Sequence, residues 1–327
     1  MSDFPVLIFV PGAWHRPTCY SKVIKLLEER YQLRCSSVTL PSTNGDPEAT
    51  FKDDLDAARA VIANETTKGR NVVVIAHSYG GLVGNSAIKG FARPRDGAVE
   101  NSASTSDQAQ GSANGYVVGL VLIASGFTFT GLSFMDPFFG IPPPSWKVNK
   151  ETGFADIVVP PGEFFYHDVP ADEREYWVSQ LAPQSLKALF EGGEYSYSGW
   201  KDVPAWYVGT AEDRGLPVVV QRMNVGMARE MGAVVEHREL QTSHSPFLSQ
   251  PDEVADILAE AVGAFAGKPV ERSRSDAKAD RILLPAAKLW QPLTWLKFGL
   301  PLFFGHIIGR GIVTFSWFRG LWGVGLR

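Results

Sequence analysis

Two hydrophobic spacings alternate along the first 266 residues. Unbroken apolar runs bounded by small or polar residues, such as PVLIFV near the start and NVVVIA at 71–76, read as strands buried on both faces of a parallel sheet. Between them CYSKVIKLLEER and FKDDLDAARAVIANE carry apolar positions three and four apart, the helical spacing. RCSSVTL supplies a further strand, and a partly buried helix follows Ser78. The alternation predicts βαβ units and hence an α/β fold, a mostly parallel, doubly wound sheet.

The pattern is interrupted twice. Residues 93–115 are polar and small, with almost nothing to bury, and read as a disordered surface insertion before the strand YVVGLVLIAS. Residues 127–200 are rich in aromatics and include two expected helices, ADEREYWVSQL and PQSLKALFEGG. A helical segment placed there between sheet strands reads as a cap over the carboxyl edge of the sheet, where open α/β sheets bind ligands. The sheet then resumes with VPAWYVGTAED and GAVVEHREL, separated by the helix PVVVQRMNVGMARE, and PDEVADILAEAVGAFAG closes the domain.

The expected organisation is therefore one domain over 1–266, a charged linker over 267–281 and an aromatic, basic tail over 282–327. No acidic residue follows Asp280, and the tail's charges are Lys288, Lys297, Arg310, Arg319 and Arg327, among Trp290, Trp295, Trp317, Trp322 and many phenylalanines. The 21 residues from Phe298 to Phe318 approach spanning length. Arg310 lies inside them, at a cost of about 2.5–3.5 kcal/mol near a bilayer centre. Aromatics mixed with cations favour an interfacial, peripheral membrane contact over a span, with packing against the domain as the third arrangement.

Composition narrows the function classes. The net charge of −4 and the absence of a basic stripe in the first 266 residues give nucleic acid nothing to bind. Cys19 and Cys35 form neither a disulfide framework nor a metal site and fit reduced intracellular thiols, so a cytoplasmic location is expected. The N-terminus has no basic region before its apolar run, which reads as a first core strand. No metal or organic cofactor is implied.

The chemistry starts where the strand NVVVIA stops. In AHSYGG, Ala76 and Gly80 flank Ser78 at two residues on either side, leaving room for a strand-to-helix elbow that exposes the hydroxyl. A serine hydroxyl needs a base, and the base an orienting acid. Of six histidines, His77 adjoins the serine and should point away from it, His237 lies within a strand, His167 in the cap, His306 in the tail, and His15 in the first turn. His244 remains, on the loop after the last strand of the domain. The preceding strand ends in Glu212 and Asp213; Asp213, farther into the loop, is the candidate acid. Backbone N–H groups of Tyr79 and of Ala13, in the turn VPGAWHRPTCY, are candidate oxyanion donors.

Four segments, FVPGAWHRPTCY, AHSYGG, AEDRGLP and HSPFLSQPDEVADIL, together resemble the α/β-hydrolase superfamily over residues 4–266. Within it they resemble the branch of plant methyl esterases and hydroxynitrile lyases and their fungal and bacterial relatives. The order serine, acid, histidine is that of the superfamily. The resemblance implies catalytic roles for Ser78, Asp213 and His244 and an oxyanion hole at Ala13 and Tyr79. Pro11 stands where the family usually has histidine, and Ser245 where its lyases have lysine, so cyanohydrin cleavage is not expected. The expected activity is hydrolysis of a carboxylic ester or lactone of a hydrophobic small molecule, with pocket candidates Trp14, Phe127, Phe134, Met135, Phe138 and Trp177. The alternatives are an acyltransferase using the same serine and a non-catalytic scaffold that binds a lipophilic ligand or a membrane.

Overall fold

The computed structural model describes residues 4–94, 114–271, 281–288 and 290–324, with the backbone alone for 319–324. Residues 95–113 of the expected insertion and 272–280 of the expected linker lie outside the described residues. The domain strands are β1 (Val6–Val10), β2 (Cys35–Ser37), β3 (Val72–His77) and β4 (Val117–Ile123), then, after a cap pair β5 (Trp146–Asn149) and β6 (Phe154–Ile157), β7 (Ala205–Thr210), β8 (Val235–Leu240) and β9 (Ile282–Leu283). The main sheet has the order β2-β1-β3-β4-β7-β8-β9, parallel except for β9. Strands β1, β3 and β7 are buried along their whole length, as unbroken apolar runs require when helices cover both faces.

The helices of the domain are α1 (Ser21–Tyr31), α2 (Phe51–Thr66), α3 (Gly80–Ala87), the cap helices α4 (Pro161–Phe165), α5 (Ala171–Ser179) and α6 (Leu186–Phe190), then α7 (Val218–Glu230), the single turn α8 (Pro246–Ser249) and α9 (Pro251–Ala266). Thr50 caps α2 through a reciprocal pair with Asp53, which fixes where that helix starts. Helix α3 packs directly on the sheet: a Cβ on Gly84 would lie 2.8 Å from the Ala76 Cβ. Strand register matters most for function. His77 pairs with Ile123 and Thr210 with Leu240, so β3, β7 and β8 run out at the same edge.

Two expectations are corrected. The cap contains the β5–β6 hairpin as well as helices; Gly153, at φ +75°, lets the chain reverse, and the Asn149 carboxamide oxygen accepts from the Glu151 and Thr152 amides in the turn. The compact unit also extends past residue 266. Strand β9 adds to the free edge of β8, and beyond it the turn α10 (Pro292–Thr294) and a π-helical stretch, Trp295–Gly299, lead into α11 (Leu300–Val324), which packs along α7. A boundary set by the closing helix missed these because two residues of strand carry no periodic signal.

Candidate active site

Ser78 is the first residue after β3 and has φ +51°, a left-handed conformation that a residue with a Cβ rarely adopts. The surroundings hold it there. Its N–H donates to the Ile123 carbonyl at 3.1 Å, and its carbonyl accepts from the Ser125 hydroxyl at 2.6 Å and from the Gly81 N–H at 2.9 Å. A Cβ on Gly80 would stand 2.4 Å from the Pro11 carbonyl oxygen, and one on Gly81 would overlap the Ser125 hydroxyl. Glycines at 80 and 81 are therefore what lets α3 begin at once, with the Ser78 side chain at the strand edge.

The loops after β7 and β8 bring Asp213 and His244 together, with His244 Nδ1 2.7 Å from Asp213 Oδ2. Both residues are buried. Asp213 Oδ1 also accepts from the Gly215 and Leu216 N–H groups at 2.7 and 2.8 Å, and Oδ2 from the Thr210 hydroxyl at 2.7 Å and the Gln221 amide at 3.2 Å. Burial pushes this carboxyl up, but His244 and these donors outweigh it and hold Asp213 below the usual carboxylate range. A carboxylate that accepts so many bonds is fixed as an acceptor, so His244 donates to it through Nδ1–H. Glu212 is exposed, accepts from the Gln241 carboxamide at 2.7 Å and lies 3.5 Å from His167 Nε2.

The turn after β1 approaches the elbow closely. A Cβ on Gly12 would lie 2.8 Å from His77 Nδ1 and 2.9 Å from the Ser78 Cβ, so only glycine fits. Trp14 adopts φ +62° in this turn. Among the described residues neither the Ala13 nor the Tyr79 N–H has a protein acceptor within hydrogen-bond distance. Tyr79 is anchored from its far end: its hydroxyl donates to Asp54 Oδ2 at 2.7 Å, and Asp54 Oδ1 accepts from the Ser42 N–H at 2.9 Å. Burial raises the Asp54 carboxyl to about 6.

The other histidines near the edge are occupied. His15 lies 2.8 Å from the Ala13 carbonyl through Nδ1 and 2.9 Å from the Tyr166 hydroxyl through Nε2; burial lowers its pKa to about 4 and keeps it neutral. His77 Nε2–H donates to the His244 carbonyl at 3.0 Å, and the two rings are 4.7 Å apart. Burial holds His77 well below the ordinary histidine range. It therefore serves as a prop behind His244.

Of the pocket candidates, Phe134 meets the Tyr79 ring edge-on at 5.4 Å, Phe138 packs on Phe134, and Trp14 packs on Phe165 and Trp146. Met135 is buried at the start of the loop that carries Phe138. Phe127 stacks on Tyr207 and meets Trp200, in the core below the cap, and Trp177 binds Glu173 and packs on Tyr176 within α5; neither makes a ring contact with the site. Phe165 was not singled out from the sequence, yet its ring lies 5.8 Å from that of His244 and 5.1 Å from that of His15. Asp168 was likewise missed. It accepts from the Thr242 hydroxyl and the Ser243 N–H at 2.7 and 3.0 Å, which ties the cap to the His244 loop.

Residues 7–257 match the model of the alpha/beta hydrolase family. The chain belongs to that family. An α/β hydrolase of Aspergillus novofumigatus, nvfD, is 25% identical over 262 residues, covering 79% of this chain and 97% of its own. A pyrethroid hydrolase of Sphingobium wenxiniae is 25% identical over 297 residues, 84% of this chain and 91% of its own. Among solved structures, a pyrethroid hydrolase from Sphingobium faniae superposes with a TM-score of 0.57 at 19% identity, covering 80% of this chain and 99% of that one. Polyneuridine aldehyde esterase superposes with a TM-score of 0.56 at 20% identity, over 78% and 98%. These structural likenesses bear on the fold. The family match ends before β9 and α11.

Proposed function

We propose that this α/β hydrolase is a serine hydrolase that cleaves a carboxylic ester of a hydrophobic small molecule through Ser78, His244 and Asp213. The observation that carries the proposal is the 2.7 Å contact between His244 and Asp213 at the strand edge where Ser78 adopts its strained elbow. His244 Nε2 takes the proton as the Ser78 oxygen bonds to the carbonyl carbon, and the imidazolium faces the Asp213 carboxylate. The Ala13 and Tyr79 N–H groups, free of protein acceptors, receive the oxyanion. The carbon–oxygen bond to the alcohol then breaks, with His244 returning the proton to the leaving oxygen, and water releases the acid from Ser78 in the reverse sequence.

The aromatic surroundings, Trp14, Phe134, Phe138 and Phe165, support an apolar substrate, and a relative named as a pyrethroid hydrolase supports the reaction class. A fluorophosphonate probe read by mass spectrometry should label Ser78 in the folded protein. Ser78→Ala should lower turnover of p-nitrophenyl esters by about four to six orders of magnitude. An unlabelled Ser78, or a variant with wild-type turnover, overturns the assignment.

A further inference from the structure

Helix α11 turns an apolar face outward. Against α7 it sets small residues: a Cβ on Gly305 would stand 2.1 Å from the Met223 carbonyl oxygen, and one on Gly309 2.7 Å from that of Met227. From the α7 side, a Cβ on Gly226 would lie 2.2 Å from the Leu302 carbonyl oxygen. Phe298, Pro301, Gly305 and Gly309 are buried and Leu302 and Ile312 half-buried, at a helical repeat that ends with Ile312. The opposite face is apolar and open, with Leu300, Phe303, Phe304, Ile307 and Ile308 each 42–57% exposed. From Val313 to Phe318 every residue is exposed, Phe315 and Trp317 by 66% and 60%. A helix facing water carries polar residues on that side.

Charge says what covers it. The chain from Ile282 onward contains Lys288, Lys297, Arg310, Arg319 and Arg327 and no acidic residue, although the whole chain is net negative. Lys297 and Arg310 are exposed on the same helical segment, Arg310 3.3 Å from Glu230 at the end of α7. We propose that α11 is a monotopic membrane contact: its outer stripe rests in the interface of an anionic lipid bilayer, the basic residues meet headgroups, and the free segment after Ile312 enters the acyl boundary. Its seat on α7 argues against a span. Residues 298–312 already have one face committed to the domain, and a crossing helix would have to leave it.

Flotation of the full chain with vesicles tests this independently of hydrolysis. The protein should float with phosphatidylcholine vesicles containing about a third phosphatidylserine, float several-fold less with phosphatidylcholine alone, and leave the vesicles in alkaline carbonate. The variant Phe304→Glu/Ile308→Glu changes only exposed positions; it should lose flotation at least tenfold while keeping its circular dichroism and thermal midpoint. Failure of the wild type to float, equal flotation of the variant, or a discrete dimer through this face with no flotation would each overturn the proposal. Retention after carbonate extraction would overturn the interfacial arrangement in favour of a span.

Discussion

At the scale of single residues, the site depends on side chains that hold others in place. The left-handed Ser78 costs of order 1–3 kcal/mol and persists because Ser125, Ile123 and the glycines at 80 and 81 leave the elbow no alternative. Asp54 acts from farther back, through Tyr79. Its carboxyl lies at about 6 in the folded protein against about 3.9 unfolded, so folding favours the protonated form. The stability associated with that proton is fully present below pH 4 and is lost as pH rises through 6, about 3 kcal/mol in all. Asp54→Asn should remove this dependence, and denaturant unfolding of both proteins at pH 4 and pH 7 measures the difference. The candidate nucleophile, acid and base were legible in the sequence because Ser78, Asp213 and His244 each sit beside a recognisable strand end. His77, Phe165 and Asp168 were not, because bracing a neighbour leaves no local pattern.

At the scale of elements, strand ends and the turns that follow them decide what meets. Aligned β3, β7 and β8 deliver Ser78, Asp213 and His244 to one edge from positions 78, 213 and 244. The turn after β1 must lie against the elbow, and Gly12 permits it. In Gly12→Ala the added methyl meets His77 and Ser78 and pushes the Ala13 amide outward. We expect kcat for ester hydrolysis to fall by about 100-fold with a smaller change in KM, since sub-ångström misplacement of an oxyanion donor costs mainly the transition state. Steady-state kinetics on a p-nitrophenyl ester would show it; an unchanged kcat would remove the turn from the oxyanion hole. The cap was legible as an aromatic break in the βα alternation, whereas its hairpin was not, since four-residue strands half-buried in a loop-rich segment lack a full period.

At the scale of the molecule, the tail and the domain share one structure. The buried pair Arg222–Glu239, at 2.8 and 2.7 Å, joins α7 to β8, and its third partner is the Lys297 carbonyl at 2.7 Å, with the Phe298 ring over the guanidinium. Deleting residues 282–327 should therefore lower stability by about 2 kcal/mol or more through loss of the buried Phe298 alone, which calorimetry would register as a lower thermal midpoint. By itself the sequence determined the sheet and its helices, because burial on two faces and on one face leave different periods. It also determined which residue types stand at the strand ends. Tertiary structure decided which side chains brace Ser78 and His244, where the cap rests, and that α11 docks on α7 with its apolar face outward. Those choices depend on distance between segments far apart in the chain, and no repeat of two or 3.6 residues encodes distance.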